Sequence, residues 1–170
     1  MTDIRRYLLL ILIALCGITW TACTQQRSPC GTPKNVNLSI ETLHKTSDTA
    51  TVFFDTSLPS AVFIPITKTS PRENLYLQQQ ATFSLTLSPD TPFCQWAFRP
   101  DTLGLTYDTI SFYYQRIPEF LSNACGYTFF YTLDSIHHKG NIIDSIYIIS
   151  TSVTNNATAR NLQIYIHPDF

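Results

Sequence analysis

The amino-acid sequence predicts an all-β protein: a single antiparallel β-sandwich, immunoglobulin-like in the broad sense, of about eight or nine short strands. Three observations predict it. Apolar and polar residues alternate with period two from Asn35 onward, turn-forming residues interrupt the alternation at short intervals, and no long stretch carries helical spacing. Composition agrees. Charged residues make up 14% of the 170-residue chain and aromatic residues 13%, which suits a half-buried sheet rather than a disordered chain. The formal charge is −1, with no patch of four or more basic residues, and this excludes nucleic acid as a partner.

Val36, Leu38 and Ile40 alternate with Asn37, Ser39 and Glu41 and give the clearest opening strand. Ala50, Val52 and Phe54 follow, then Val62, Ile64 and Ile66. Pro65 there suggests a sheet edge, since proline cannot donate to a ladder. Ser70, Pro71 and Glu73 read either as the start of a helical turn or as a lead into a strand through Leu75 and Leu77. Phe83, Leu85 and Leu87 run into the turn Ser88-Pro89-Asp90, and Cys94, Trp96 and Phe98 run into Pro100-Asp101. The last third predicts four strands: Ile110 to Tyr114, Tyr127 to Leu133, Ile142 to Val153, and Leu162 to Ile166. HHKGN and TNNAT serve as hairpin loops between them.

The N-terminus has a different character. Arg5 and Arg6 precede an uncharged apolar run from Tyr7 to Ile18, and Thr21 and Ala22 stand just before Cys23. That is the layout of a secretory signal, too short before Thr19 to span a bilayer. It resembles bacterial lipoprotein signals, in which the cysteine is lipidated on sulfur, cut on its amino side and acylated on the new N-terminus. The resemblance implies lipidation at Cys23, a signal peptide over 1–22, a tether over 23–34 and a sandwich over 35–170. Removing the first 22 residues leaves 148 and takes away Arg5, Arg6 and Asp3, so the mature part carries −2. It is one domain's worth of chain. Thr24 is not the aspartate that retains some lipoproteins at the inner membrane, and Thr24 to Ser28 lacks the acidic residues of surface-exported ones. Both carry-overs imply an outer-membrane anchor facing the periplasm.

With Cys16 removed and Cys23 lipidated, Cys30, Cys94 and Cys125 remain for an oxidising compartment, and one bridge leaves one thiol over. Cys94 shares a strand face with Trp96 and Phe98 and suits a buried thiol. Cys30 and Cys125, each before a glycine in an irregular segment, are the expected disulfide.

Four segments in order then resemble a known family: Cys30 ahead of the first strand; Leu85-Thr86-Leu87 ending in a Pro-Asp turn; Asp108-Thr109-Ile110-Ser111-Phe112-Tyr113-Tyr114; and Ser122-Asn123-Ala124-Cys125-Gly126-Tyr127. The chain resembles uncharacterised bacteroidete cell-envelope lipoproteins that carry a domain of unknown function. That implies location and fold class, and no mechanism.

No motif of catalysis stands out. There is no GxSxG elbow and no glycine-rich phosphate loop. Asp134, His137 and His138 cluster in sequence, but adjacent histidines on a strand point to opposite faces, so neither a metal site nor a cofactor is expected. Glu41, Glu73 and Glu119 are the acids that could meet as a hydrolytic pair. Asp followed by Thr or Ser and an apolar residue recurs, for instance at Asp101-Thr102-Leu103 and Asp108-Thr109-Ile110. The pattern resembles an O-glycosylation acceptor of bacteroidete envelopes, and it equally describes an aspartate closing a turn.

The expectation is therefore a non-catalytic binding or structural module. It would be held to the membrane through its N-terminal lipid and meet an envelope protein or glycan, with a periplasmic hydrolase as the alternative. Period two places Tyr113, Tyr147 and Tyr165 opposite the core, joined by Phe130 if its strand turns Thr128 and Thr132 outward, and predicts one aromatic face as the binding surface.

Overall fold

A computed structural model describes residues 29–45, 53–55, 57–66, 74–76 and 79–167. Contacts divide the chain at Cys30 and Gly31, and the unit from Gly31 to Phe170 carries every strand. Among the described residues eleven strands and no helix occur: β1 (Asn37–Lys45), β2 (Phe53–Asp55), β3 (Ala61–Pro65), β4 (Asn74–Tyr76), β5 (Thr82–Thr86), β6 (Phe93–Arg99), β7 (Asp108–Ser122), β8 (Gly126–Lys139), β9 (Ile143–Ile148), β10 (Ser152–Val153) and β11 (Leu162–Ile166). They form two sheets. One runs β2-β1-β11-β9 with β5 also paired to β1, and the other runs β10-β8-β7-β6-β3-β4. The fold is a β-sandwich, as the alternation predicts.

β1 organises the five-stranded sheet. It runs parallel to β11, from Ile40 opposite Leu162 to His44 opposite Ile166. Its other edge is shared, β5 pairing with Asn37–Glu41 and β2 with Leu43–Lys45. Leu38, Ile40, Phe83, Leu85, Leu162 and Ile164 face inward from this sheet; Phe63, Trp96, Phe98, Ile110, Phe112 and Tyr114 face them from the other, and all are fully buried. Each such side chain contributes on the order of 2 kcal/mol of apolar burial. Phe63 binds the layers together, its ring 5.4 Å from Phe83 across the interior and 4.9 Å from Phe98 beside it.

The structure departs from the expected elements in five places. Ala61 and Phe63 point inward from β3, whereas Ile64 is half-buried and Ile66 exposed; the run Ala61 to Ile66 is apolar throughout, so it carries no phase. β3 is not an edge strand, but its pairing with β4 stops at Phe63 while Pro65 registers with Trp96 of β6, so the proline lies beyond the end of the short neighbour. Ile142 to Val153 is not one strand. Ile149 and Ser150 donate backbone N–H groups to the Asn161 carbonyl (2.8 and 3.2 Å), and the Asn161 amide donates to Ser152 O (2.8 Å), which turns the chain from β9 to β10 in the other sheet. The histidines of HHKGN belong to β8 rather than to a loop. Finally β7 and β8 are long, at 15 and 14 residues, and Gln115 to Phe120 are all exposed. With neither face covered, nothing imposes alternation on that ribbon. Of the second expected strand only Phe54 is described, Ala50 and Val52 lying outside the described residues. Ser70 to Glu73 lie outside them too, and β4 carries Leu75 as strand.

Two buried polar groups fix the chain's turns. Asp108 opens β7, and its carboxylate accepts backbone N–H bonds from Asn141 (3.0 Å), Ile142 (2.9 Å) and Ile143 (2.7 Å) where β8 passes to β9. Asn161, before β11, accepts from Ser39 N with its side chain (3.1 Å) while donating to Ser152 O. Cys30 and Cys125 are both disulfide-bonded, and Cys94 is a free, fully buried thiol. Burial pushes the Cys94 thiol up from its ordinary pKa, against partial relief from hydrogen bonding to Tyr114 and Ser88. Iodoacetamide at mildly alkaline pH is therefore expected to leave Cys94 unlabelled in the native protein and to label it fully once guanidinium unfolds the chain. Comparable labelling in both states, read by mass spectrometry, would contradict the placement.

Candidate functional site

The outward face of the five-stranded sheet carries the most organised surface chemistry among the described residues. Burial along β11 alternates, so Leu162, Ile164 and Ile166 point in while Gln163 and Tyr165 point out. Register sets Gln163 between Glu41 of β1 and Tyr147 of β9, and Tyr165 beside Ser145. Tyr147 is 57% exposed and meets Tyr165 edge-on, with ring centroids 5.2 Å apart at 84°. From Tyr165 a polar chain runs inward. Its hydroxyl donates to Gln163 Oε1 (3.3 Å), Gln163 Nε2 donates to Glu41 Oε2 (3.0 Å), and Arg160 Nη1 donates to Glu41 Oε1 (2.8 Å). Glu41 is only 5% exposed, and both of its oxygens are engaged. Desolvation, the neighbouring Tyr147 and the Glu41 charge all raise the Tyr165 pKa. Its hydroxyl therefore stays protonated as both donor and acceptor.

The same face continues into a polar pocket. Ser39 is the outward residue of β1 next to Glu41, about 7 Å along the strand, and lies opposite Ser84 of β5. Ser39, Ser84, Asn37, Asn155 and Asn156 line a cavity of about 200 Å³. Its walls offer amides and hydroxyls with no charged side chain. An edge-on tyrosine pair next to uncharged donors and acceptors is a platform for a neutral, polyhydroxylated or amide-rich ligand.

Of the expected aromatic face, the structure brings Tyr147 and Tyr165 together and separates Tyr113 and Phe130 from them. The latter two belong to the six-stranded sheet, on β7 and β8. Tyr113 is exposed between Phe93 (4.8 Å) and His137 (5.7 Å), and Phe130 is half-buried against the core. Alternation fixes which way a side chain points within its strand. It does not say which sheet the strand joins, and the chain changes sheets between β8 and β9. Cys23, the signal and the first half of the tether lie outside the described residues.

The acids of the hydrolase alternative stand apart. Glu41 is ion-paired with Arg160 on β1, Glu119 is exposed on β7 of the other sheet, and Glu73 lies outside the described residues. Asp134 accepts from Gln115 (3.1 Å), His137 stacks on Tyr113, and His138 registers with inward-facing Ile110, its Nδ1 buried without a hydrogen-bond partner. Among the described residues no three His, Cys, Asp or Glu side chains group as a metal site. Two of the Asp-Thr motifs are turn closures. Asp101 accepts from Leu103 N (3.1 Å) and from the Ser60 hydroxyl (3.0 Å), which hold its carboxyl below the usual range, and Asp108 holds the β8–β9 turn. The Glu41–Gln163–Arg160 set and Asn161 have no local sequence signature, since only the β1–β11 register joins them.

A family model described as a family of unknown function (DUF6452) matches residues 37–166. No curated protein and no solved structure matches the chain.

Proposed function

The chain belongs to DUF6452, a family of unknown function, and on that footing we propose that it is a lipid-anchored, non-catalytic binding module of the bacterial cell envelope. It is held at the outer membrane through Cys23, faces the periplasm, and offers the outward face of its five-stranded sheet to an envelope glycan. The observation that carries the binding role is the Tyr147–Tyr165 pair beside the buried Glu41 carboxylate, which Gln163 and Arg160 hold, and the amide-lined pocket. Aromatic rings set against fixed hydrogen-bonding groups suit the apolar faces and hydroxyls of a neutral sugar. Export is supported by the basic, apolar and small-residue run from Arg5 to Cys23 and by the disulfide-bonded state of Cys30 and Cys125, which belongs to an oxidising compartment. The bacteroidete lipoprotein resemblance points the same way.

The test uses the mature protein, soluble glycan fragments released from the envelope, and two variants. Tyr147→Ala is expected to weaken binding at least about tenfold, roughly 1.4 kcal/mol, while leaving Tm nearly unchanged because the ring is mostly exposed. Tyr113→Ala, on the other sheet, is expected to bind as the wild type does. Equal binding by Tyr147→Ala, or a loss that follows Tyr113→Ala instead, rejects this face; capture of a protein but of no glycan rejects the sugar. Mass spectrometry of the same preparation reads the anchor, which is expected as an acylated N-terminal Cys23. An intact peptide spanning Trp20 to Cys23 ends that part of the reading.

A further inference from the structure

The β7–β8 ribbon leaves an apolar surface uncovered at one end of the sandwich, and the path of the chain says what lies against it. Register pairs Phe120 with Tyr127 and Pro118 with Phe129, so these four side chains share one face of the ribbon. Tyr131 continues that face into the sandwich, where it is buried with its hydroxyl 3.4 Å from Leu87 O. The ribbon thus carries the inner face of its sheet past the point where the other sheet covers it. Beyond that point Phe120 is 48% exposed and Tyr127 70%, their rings 5.0 Å apart. Between this overhang and the start of β1 a groove of about 530 Å³ opens, lined in part by Val36, Leu87, Tyr127 and Phe129. Aromatic residues left open in this way are a surface in need of a partner.

The N-terminal segment runs along this same ribbon. Thr32 O lies 3.9 Å from Cys125 Sγ at the hairpin turn, and Lys34 O accepts from the Thr128 hydroxyl at 2.9 Å. Nine residue steps separate Thr32 from Cys23. At most about 3.3–3.6 Å each, they span no more than about 32 Å. A lipid on Cys23 therefore keeps this end of the sandwich, and the aromatic overhang with it, next to the bilayer.

We infer that the tip of the β7–β8 ribbon is a second membrane contact, with Phe120, Tyr127 and Phe129 seated in the headgroup region of the leaflet that holds Cys23. This inference rests on the lipid-anchor reading above. Rings with apolar bodies, one carrying a polar tip, are the side chains favoured at that depth. Lys34 and Arg116, both exposed, flank the aromatic face and suit lipid phosphates. The contact orients the domain: one lipidated residue on a short chain leaves it free to tumble, whereas a second point of attachment holds the Tyr147–Tyr165 face at a set angle to the membrane.

The experiment reconstitutes the full lipidated protein into liposomes of phosphatidylethanolamine and phosphatidylglycerol bearing brominated acyl chains. It compares Phe120→Trp with Tyr147→Trp; the native Trp96 is fully buried and serves as the common background. Insertion by about 5–10 Å brings a ring at position 120 within reach of the bromines, so Phe120→Trp is expected to lose roughly half of its added emission while Tyr147→Trp loses almost none. Tyr127→Trp, at a more exposed position, is a second reporter should Phe120→Trp fold poorly. Protein that floats with the liposomes but shows no quenching at 120 or 127 overturns the ribbon contact and leaves the anchor standing. Protein that does not float overturns the anchor and the contact together. A blue-shifted, unquenched tryptophan means that a second copy or another protein covers the ribbon, and it too overturns the inference.

Discussion

Asp108→Ala is expected to destabilise the domain by roughly 4 kcal/mol or more, the sum of three backbone donors each left without its acceptor at about 1–3 kcal/mol. Asp108 is almost wholly buried, and its two oxygens take the N–H groups of Asn141, Ile142 and Ile143. Alanine offers nothing in their place. A domain of this kind is stable by about 5–15 kcal/mol in total, so the loss should lower Tm by more than about 10 °C. Asp108→Asn keeps one acceptor but turns an NH2 group toward donors, and should recover little. Denaturant unfolding followed by Trp96 fluorescence measures both; a variant within about 1 kcal/mol of wild type would show that the clasp matters little.

Gly140 sharpens the test, because it lies under the same carboxylate. Its φ of +144° is a conformation that side chains rarely adopt, and a Cβ built there would overlap the Asp108 carboxyl group. In the wild-type background Gly140→Ala must both strain the backbone and displace the carboxylate. Once Asp108→Ala has emptied that space, only the backbone strain remains. The two substitutions are therefore expected to be clearly less than additive.

These two residues also mark the limit of what the chain's local pattern reveals. Strands whose inner face is buried and whose outer face is wet were legible, as in β5, β6 and β11, because burial imposes the alternation that can be read. Where both sides are apolar, as at Ala61 to Ile66, or both are wet, as along Gln115 to Phe120, the pattern has no phase and the reading failed. The disulfide state and the free Cys94 followed from the residues around each cysteine. The binding face was half legible. Tyr147 and Tyr165 point outward as alternation requires, but the sheet exchange that separates them from Tyr113 and Phe130 falls between β8 and β9, at the turn that Asp108 holds. Asp108 could be read as a residue that closes a turn, though not which turn: its partners lie more than thirty positions away.

The second large effect is a loss of stability in alkali, and it originates in one buried cluster. Tyr114 accepts the Ser88 backbone N–H at 2.8 Å and donates to Ser88 O at 3.2 Å, its ring meets Tyr131 edge-on at 5.3 Å, and Cys94 lies against both. Burial, and then the Cys94 thiolate charge that would form nearby, push both tyrosine hydroxyls above their ordinary 10.0, while burial pushes the Cys94 thiol above 9.0. Each group is an acid that the folded state keeps protonated after the unfolded chain has released its proton. Their stabilising effect is thus complete below pH 9.0, the lowest of the unfolded values, and drains away as pH climbs past 9.0 and then 10.0. Each group removes at most about 1.4 kcal/mol per pH unit, and only while the pH lies between its unfolded and folded values; Tyr114, the most strongly shifted of the three, carries the decline above pH 10. Tyr165 shares the direction, but it is half-exposed and water damps its share. Tyr114→Phe separates this linkage from simple packing. It deprives Ser88 N of its acceptor and should cost about 1–3 kcal/mol at neutral pH, yet its stability should then fall less steeply with pH by one group's share. Guanidinium unfolding of both proteins at intervals between about pH 8 and 11 measures the slopes; parallel curves would mean that Tyr114 releases its proton as readily folded as unfolded.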